Sequence, residues 1–186
     1  LPIDLSSIDA VVLSHAHLDH SGWLPVLVKH GYRGPIFTNT ATRDLCAVLL
    51  ADSAHLQEED ARRANRYGSA SHTPALPLYT KSDAARTVAR ITALPSGRGA
   101  EVGRVQIAFT PVGHLLGASA ITLTAGRERI VYSGDLGRSD DLLLPAPQSI
   151  HAADVLLVEA TYGNRVHPRQ DVQQRLGEII RRTIAR

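Results

Sequence analysis

Between Ser14 and Ser21 the chain reads His15-Ala16-His17-Leu18-Asp19-His20, four side chains with ligand chemistry within six residues. Imidazole nitrogens and a carboxylate are the ligands a zinc ion takes when thiolates are not on offer. His15 and His17 are two apart, so in extended backbone they point to the same side. Asp19 continues that parity and His20 breaks it, which lets one loop serve two adjacent metals. A single histidine is more often a satisfied core or surface residue. The full set at this spacing points instead to the core of a two-metal, dizinc, hydrolytic site.

Such a site needs ligands from elsewhere, and two residues stand where apolar strands are expected to end. His114 lies in Pro111-Val112-Gly113-His114-Leu115-Leu116-Gly117-Ala118-Ser119, where the flanking glycines permit a tight turn. Asp135 lies in Tyr132-Ser133-Gly134-Asp135-Leu136-Gly137. Gly-Asp alone more often marks a turn, and it is the shared placement at strand ends that raises both residues to ligand candidates. His167, before Pro168, reads as an exposed loop residue. His55 and Cys46 read as structural, His30, His72 and His151 as surface positions, and Glu58-Glu59-Asp60 as a solvated helix face.

The elements that must position these groups follow a strand-helix rhythm. Asp9 to Ser14 is a short β-branched apolar run leading into the histidines. A helix follows from Trp23 to Val28 with Pro25 in its first turn and Gly31 available as a cap. A strand at Gly34 to Asn39 precedes a helix over Arg43 to Asp52, capped by Thr40 or Thr42. His55 to Arg66 reads as a second, solvated helix, and Tyr67 to Pro77 as a loop. Thr80 with Asp83 forms a capping box for a helix ending near Ile91. Pro95 to Gly103 reads as a turn, and strands are expected at Val105 to Pro111, Ala120 to Thr124, Arg129 to Ser133 and Ala153 to Glu159. Val172, Leu176, Ile179, Ile180 and Ile184 recur at helical spacing. The alternation argues for a layered α/β domain.

Bulk properties narrow the class. A chain of 186 residues with 44% hydrophobic content fits one domain with a real core. The net charge of +2 is too small to mark a nucleic-acid binder by itself, so any phosphate-binding surface must be local. Cys46 is the only cysteine, which excludes an internal disulfide and a four-cysteine zinc site, and a reducing cytoplasm is the simplest setting. No run approaches the roughly 18 apolar residues of a membrane span. The chain opens on Leu1, contains no Met and stops at Arg186 inside a helix-like pattern, so it is expected to be a piece of a longer protein.

HAHLDH after an apolar strand, then GHLLGAS, SGDLG and Val158-Glu159-Ala160-Thr161-Tyr162-Gly163, in that order, resemble the metallo-β-lactamase superfamily and, within it, the β-CASP RNA-processing branch. The similarity runs through nearly the whole chain, including SHAHLDHSGWLP and Asp52-Ser53-Ala54-His55. It implies a four-layer αββα sandwich, incomplete at both ends. Residues 1–165 would form the metallo-β-lactamase domain without its N-terminal part, and residues 166–186 the start of a truncated cap domain. It implies two zinc ions: His15, His17 and His114 on the first, Asp19 and His20 on the second, and Asp135 bridging both. The implied activity is hydrolysis of RNA phosphodiesters by a metal-bridging hydroxide, with Asp19, Asp135 and Glu159 taking part in catalysis. Glu159 would orient a histidine, downstream of this chain, that acts on the leaving group. The implied partners are RNA, no membrane, and a second copy through regions outside this chain.

Three rivals remain at this point. A hydrolase of a small ester, thioester or lactam shares the metal motif. A flavodiiron oxidoreductase would carry Glu where His17 stands. A non-catalytic subunit of an RNA-processing complex would have lost ligands, and none is lost here.

Overall fold

In a computed structural model of the chain, residues 3–70, 72–95, 97–166 and 171–185 are described; His167, and Ser71 of the expected 67–77 loop, lie outside them. A parallel sheet is built from β1 (Val11–Val12), β2 (Ile36–Asn39) and β3 (Ile91–Leu94), in the order β1-β2-β3. Side-chain alternation gives it two apolar faces, as a sheet covered on both sides must have. Leu13, Ile36 and Ile91 belong to a core shared with Leu24, Val28, Cys46, Leu50 and Ala54 of the helices. Val12, Phe37 and Leu94 pack the opposite way, against Ile107, Phe109 and Ile121 of a second sheet.

Three helices cover the first of those faces. α2 (Leu24–Lys29) begins with Pro25 in its first turn and is ended, as expected, by Gly31: after the C-cap His30 the glycine turns to a φ of 110°, its amide donating to the Val28 carbonyl at 3.2 Å and the Tyr32 amide to the Leu27 carbonyl at 3.0 Å. α3 (Thr40–Tyr67) is a single helix of 28 residues. The two expected helices over 43–52 and 55–66 are therefore one, because no Gly or Pro lies between Asp52 and His55 to end it. Its N-cap is Asn39, whose side chain accepts from the Ala41 amide at 3.0 Å, in place of Thr40 or Thr42. The Glu58 to Asp60 stretch is not wholly solvated either. Glu58 Oε1 accepts from the Lys81 amide at 2.8 Å and Gln57 Oε1 from the Leu78 amide at 3.1 Å, which ties the long helix to α4 (Lys81–Val88).

α4 opens with the expected Thr80–Asp83 capping box. It ends at Val88, short of the expected Ile91, and Ile91–Leu94 instead becomes the third parallel strand, in register with Ile36–Asn39. The β-branched Ile91 and Thr92 suit that extended backbone, and the Ile36 amide bonding the Arg90 carbonyl at 3.2 Å starts the ladder.

The second sheet has the order β4-β5-β6-β7-β8: β4 (Ala100–Val102), β5 (Val105–Pro111), β6 (Ser119–Ala125), β7 (Glu128–Tyr132) and β8 (Val155–Leu157). β4 lies inside the expected turn region, where Ala100 and Val102 reach the inter-sheet core. The remaining four match their sequence expectation to within two residues at each end. β4 to β7 pair antiparallel, whereas β8 returns parallel to β7. Its Val155, Leu156 and Leu157 are all exposed. α5 (Val172–Ile184) carries its apolar stripe with no residue buried. Helices on one sheet and a second sheet face to face with the first are three layers of the expected αββα sandwich; on the outer side of the second sheet, Ile150 packs against Val112, Ala118 and Ala120.

Candidate metal centre

All the loops with ligand candidates emerge at one edge of the two sheets. The histidine segment follows β1, and its path is fixed by main-chain bonds: the Ser119 amide donates to the Ser14 carbonyl at 3.0 Å, and the Ser21 hydroxyl to the Ala16 carbonyl at 2.8 Å. The segment is extended only as far as His17. Leu18–Ser21 is a short helix, α1, so the parity expected to continue to Asp19 does not apply; Asp19 and His20 are separated from the first two histidines by a helical turn. His17 is the N-cap of α1 yet makes no side-chain capping bond, because its ring is turned toward the other histidines.

Three ring nitrogens and one carboxylate oxygen converge. His17 Nδ1 lies 3.2 Å from His15 Nε2 and 3.2 Å from His114 Nε2. Asp135 Oδ2 lies 3.8 Å from His15 Nε2 and 3.6 Å from His114 Nε2. Four ligands at zinc-bonding distance around a tetrahedral ion stand about 3.4 Å from each other. The observed separations bracket that value, so these four residues fit one divalent cation.

The other oxygen of the same carboxylate faces a second group. Asp135 Oδ1 lies 3.4 Å from His20 Nε2, which is 3.4 Å from Asp19 Oδ2. These three fit part of a second cation's shell. His15 is fully buried while the Asp19 side chain is 76% exposed, so the site runs from a closed inner end to an open mouth. Burial, reinforced by the neighbouring His20, pushes the His15 imidazole down to about 4, which leaves its lone pair free across the neutral range.

The supporting loops are interlocked. His114 follows Gly113, whose φ of 65° only glycine adopts at low cost and whose bare Cα lies against the Pro145 carbonyl. The Gly137 amide donates to the Val112 carbonyl at 2.8 Å, joining the His114 loop to the Asp135 loop. Glu159 joins in turn: its amide donates to Ser133 Oγ at 3.0 Å, and its carboxylate accepts from the Leu136 amide. Glu159 also lines a cleft of about 280 Å³ with His114, Asp135, Arg138, Thr161 and Tyr162.

The structure thus brings together every residue singled out for the site. Cys46 stays apart in the core, and burial pushes its thiol up to about 11, as suits a structural residue. His30, His72 and His151 are exposed, and His55 is half-buried on α3. Two neighbours were missed in the sequence. The Ser14 hydroxyl lies 3.1 Å from His15 Nδ1 and the Tyr132 hydroxyl 3.4 Å from His20 Nδ1. Burial, together with the charges of Asp135, Asp19 and Glu159, raises the Tyr132 phenol and keeps it protonated. The available signal was position alone: each ends an apolar strand beside a ligand motif.

A family pattern described as a β-lactamase superfamily domain matches residues 1–181. The chain is 33% identical over 183 residues to a ribonuclease of Thermus thermophilus, a match covering 98% of this chain and 38% of that protein. It is 30% identical over 181 residues to a transcription termination factor of Cenarchaeum symbiosum, covering 95% of this chain and 25% of the relative. It is 33% identical over 183 residues to an endoribonuclease of Neurospora crassa, covering 95% of this chain and 20% of the relative. The chain therefore spans at most 38% of the length of these relatives. With the family pattern running through both sheets and all the site loops, the chain belongs to the β-lactamase superfamily, with relatives in its β-CASP RNA-processing branch.

Proposed function

We propose that this chain is the metal-binding part of a ribonuclease that hydrolyses RNA phosphodiester bonds with two zinc ions. The observation that carries the reading is the Asp135 carboxylate, whose two oxygens face two different ligand groups. His15, His17 and His114 would hold one ion, Asp19 and His20 would hold the other, and Asp135, which faces both groups, would serve the two. When bound, such a pair acidifies a water molecule and offsets charge growing on phosphate oxygens. The chain's own residues do the rest: the buried His15 end excludes water, and the Asp19 end leaves room for substrate. Glu159, braced by the Leu136 amide beside Asp135, would orient a leaving-group acid supplied by another part of the protein; its bond to that amide and its position in the cleft support this.

The names of the relatives support RNA as the substrate, since two are ribonucleases and one acts in transcription termination. Residues 1–165 are assigned to the metal domain and 166–186 to the start of a cap domain, and the single buried thiol suits a cytoplasmic protein. No helix among the described residues is long and apolar enough to cross a membrane.

The test is metal analysis and RNA cleavage by the full-length protein. Two zinc equivalents per chain are expected, and Asp135→Ala should abolish cleavage of single-stranded RNA while the fold persists. A variant that cuts at the parental rate overturns the two-ion assignment. A metal-loaded parent that leaves RNA intact overturns the substrate.

A further inference from the structure

A histidine that gives its Nε2 lone pair to a cation carries its proton on Nδ1, and that N–H needs an acceptor. Of the rings that face the site through Nε2, His15 and His20 each have a hydroxyl at Nδ1. His15 Nδ1 is 3.1 Å from Ser14 Oγ, and His20 Nδ1 is 3.4 Å from Tyr132 Oη. Ser14 is buried and Tyr132 is packed into the inter-sheet core, so neither group is free to swing toward solvent.

The contact between His20 and Tyr132 spans 112 residues of chain. It therefore depends on the sheets being assembled, unlike a contact between sequence neighbours. His15 belongs to the first ligand group and His20 to the second. A hydroxyl thus backs one ring of each group.

We propose that Ser14 and Tyr132 are positioning residues, two hydroxyls that hold His15 and His20 in the Nδ1–H tautomer, one at each cation position. The proposal rests on the two-ion reading given above. It makes the inter-sheet core part of the metal site: Tyr132 is anchored by apolar packing and delivers its one polar atom to a ligand.

The experiment uses the full-length protein stripped of metal and titrated with Zn²⁺ against a chromophoric chelator, with Co²⁺ absorption as a second readout of ligand geometry. Asp19→Ala marks which equivalent belongs to the His20 position. Tyr132→Phe should weaken that same equivalent about 10- to 100-fold, and Ser14→Ala should weaken the other by a similar factor, the usual loss when a ligand's outer partner is removed. Ser14→Thr, which keeps the hydroxyl, should restore binding. Parental affinity for both equivalents in Tyr132→Phe and Ser14→Ala overturns the pair while leaving the two-ion reading intact. Equal loss of both equivalents in step with a fall in Tm overturns it too. A parent that binds no cation overturns both.

Discussion

Gly113 and Gly126 form a matched pair for testing how the His114 loop is held. Their φ angles are 65° and 63°, so replacing either by alanine carries the same backbone cost, about 1–2 kcal/mol for a left-handed conformation. In a domain of this size each 1 kcal/mol lowers Tm by about 2–4 °C. Their surroundings differ. A Cβ on Gly126 meets nothing within 4 Å, whereas on Gly113 it lands 2.0 Å from the Pro145 carbonyl oxygen. Ordinary contact begins at 3.4 Å, so the Gly113 segment or the Pro145 segment must move by about 1.4 Å. His114 is the next residue, and its Nε2 sits 3.2 Å from His17 Nδ1 in a ligand set that tolerates errors of only about 0.2 Å. Gly126→Ala should therefore lower Tm by about 2–8 °C with parental zinc affinity. Gly113→Ala should lower Tm further and weaken zinc binding at least about tenfold. Differential scanning calorimetry with and without metal, and zinc competition, separate the two. If Gly113→Ala matches Gly126→Ala in both measurements, the loop yields without moving its ligand and the crowding argument is wrong.

Glu159→Gln keeps the size of the side chain and should retain two zinc equivalents while lowering kcat for RNA about 100-fold or more, the scale of general-acid assistance. Retention of the parental kcat would remove Glu159 from the chemistry. Thr80→Ala should cost about 1 kcal/mol by removing the α4 cap. For Asp83, burial opposes ionisation, but the Thr80 hydrogen bonds with Arg86 and Lys29 outweigh it and hold the carboxyl below its ordinary value. Its contribution is then complete above the usual carboxylate range, near about 4, and is lost as pH falls through the lower folded value. The stability gap between the parent and Asp83→Asn should accordingly narrow in acid melts, and a gap that stays constant refutes the assignment. Residues 1–186 on their own should self-associate by light scattering, because Val155, Leu156, Leu157 and Val158 are exposed at a sheet edge. Val155→Lys with Leu157→Lys should suppress it.

The candidate ligands stood out in the sequence because each follows an apolar run with turn residues beside it, a pattern written locally. Their grouping was legible only through spacing, and where spacing was extrapolated it failed: Asp19 lies in a helical turn, which alternation along an extended chain does not describe. β3 was hidden because Ile91–Leu94 carries the apolar spacing of α4 forward, and only its pairing with β2 makes it a strand. β4 is three residues long and held by one neighbour, β5, too little to leave a pattern. The continuity of α3 was missed because a change from apolar to charged residues at His55 alters which face is wet, not whether the backbone turns. Tyr132 and Ser14 had no signature of their own, since a hydroxyl matters only for what tertiary packing sets opposite it.

Two joints between the loops around the site are main-chain bonds: Ser119 to Ser14 and Gly137 to Val112. Amide and carbonyl groups are the same whatever side chain is attached. Leu116 and Leu136, exposed on these loops, can therefore be exchanged without loosening that framework. A scaffold of this kind lets the rim of the site drift toward new substrates while the spacing of its ligand atoms is inherited unchanged.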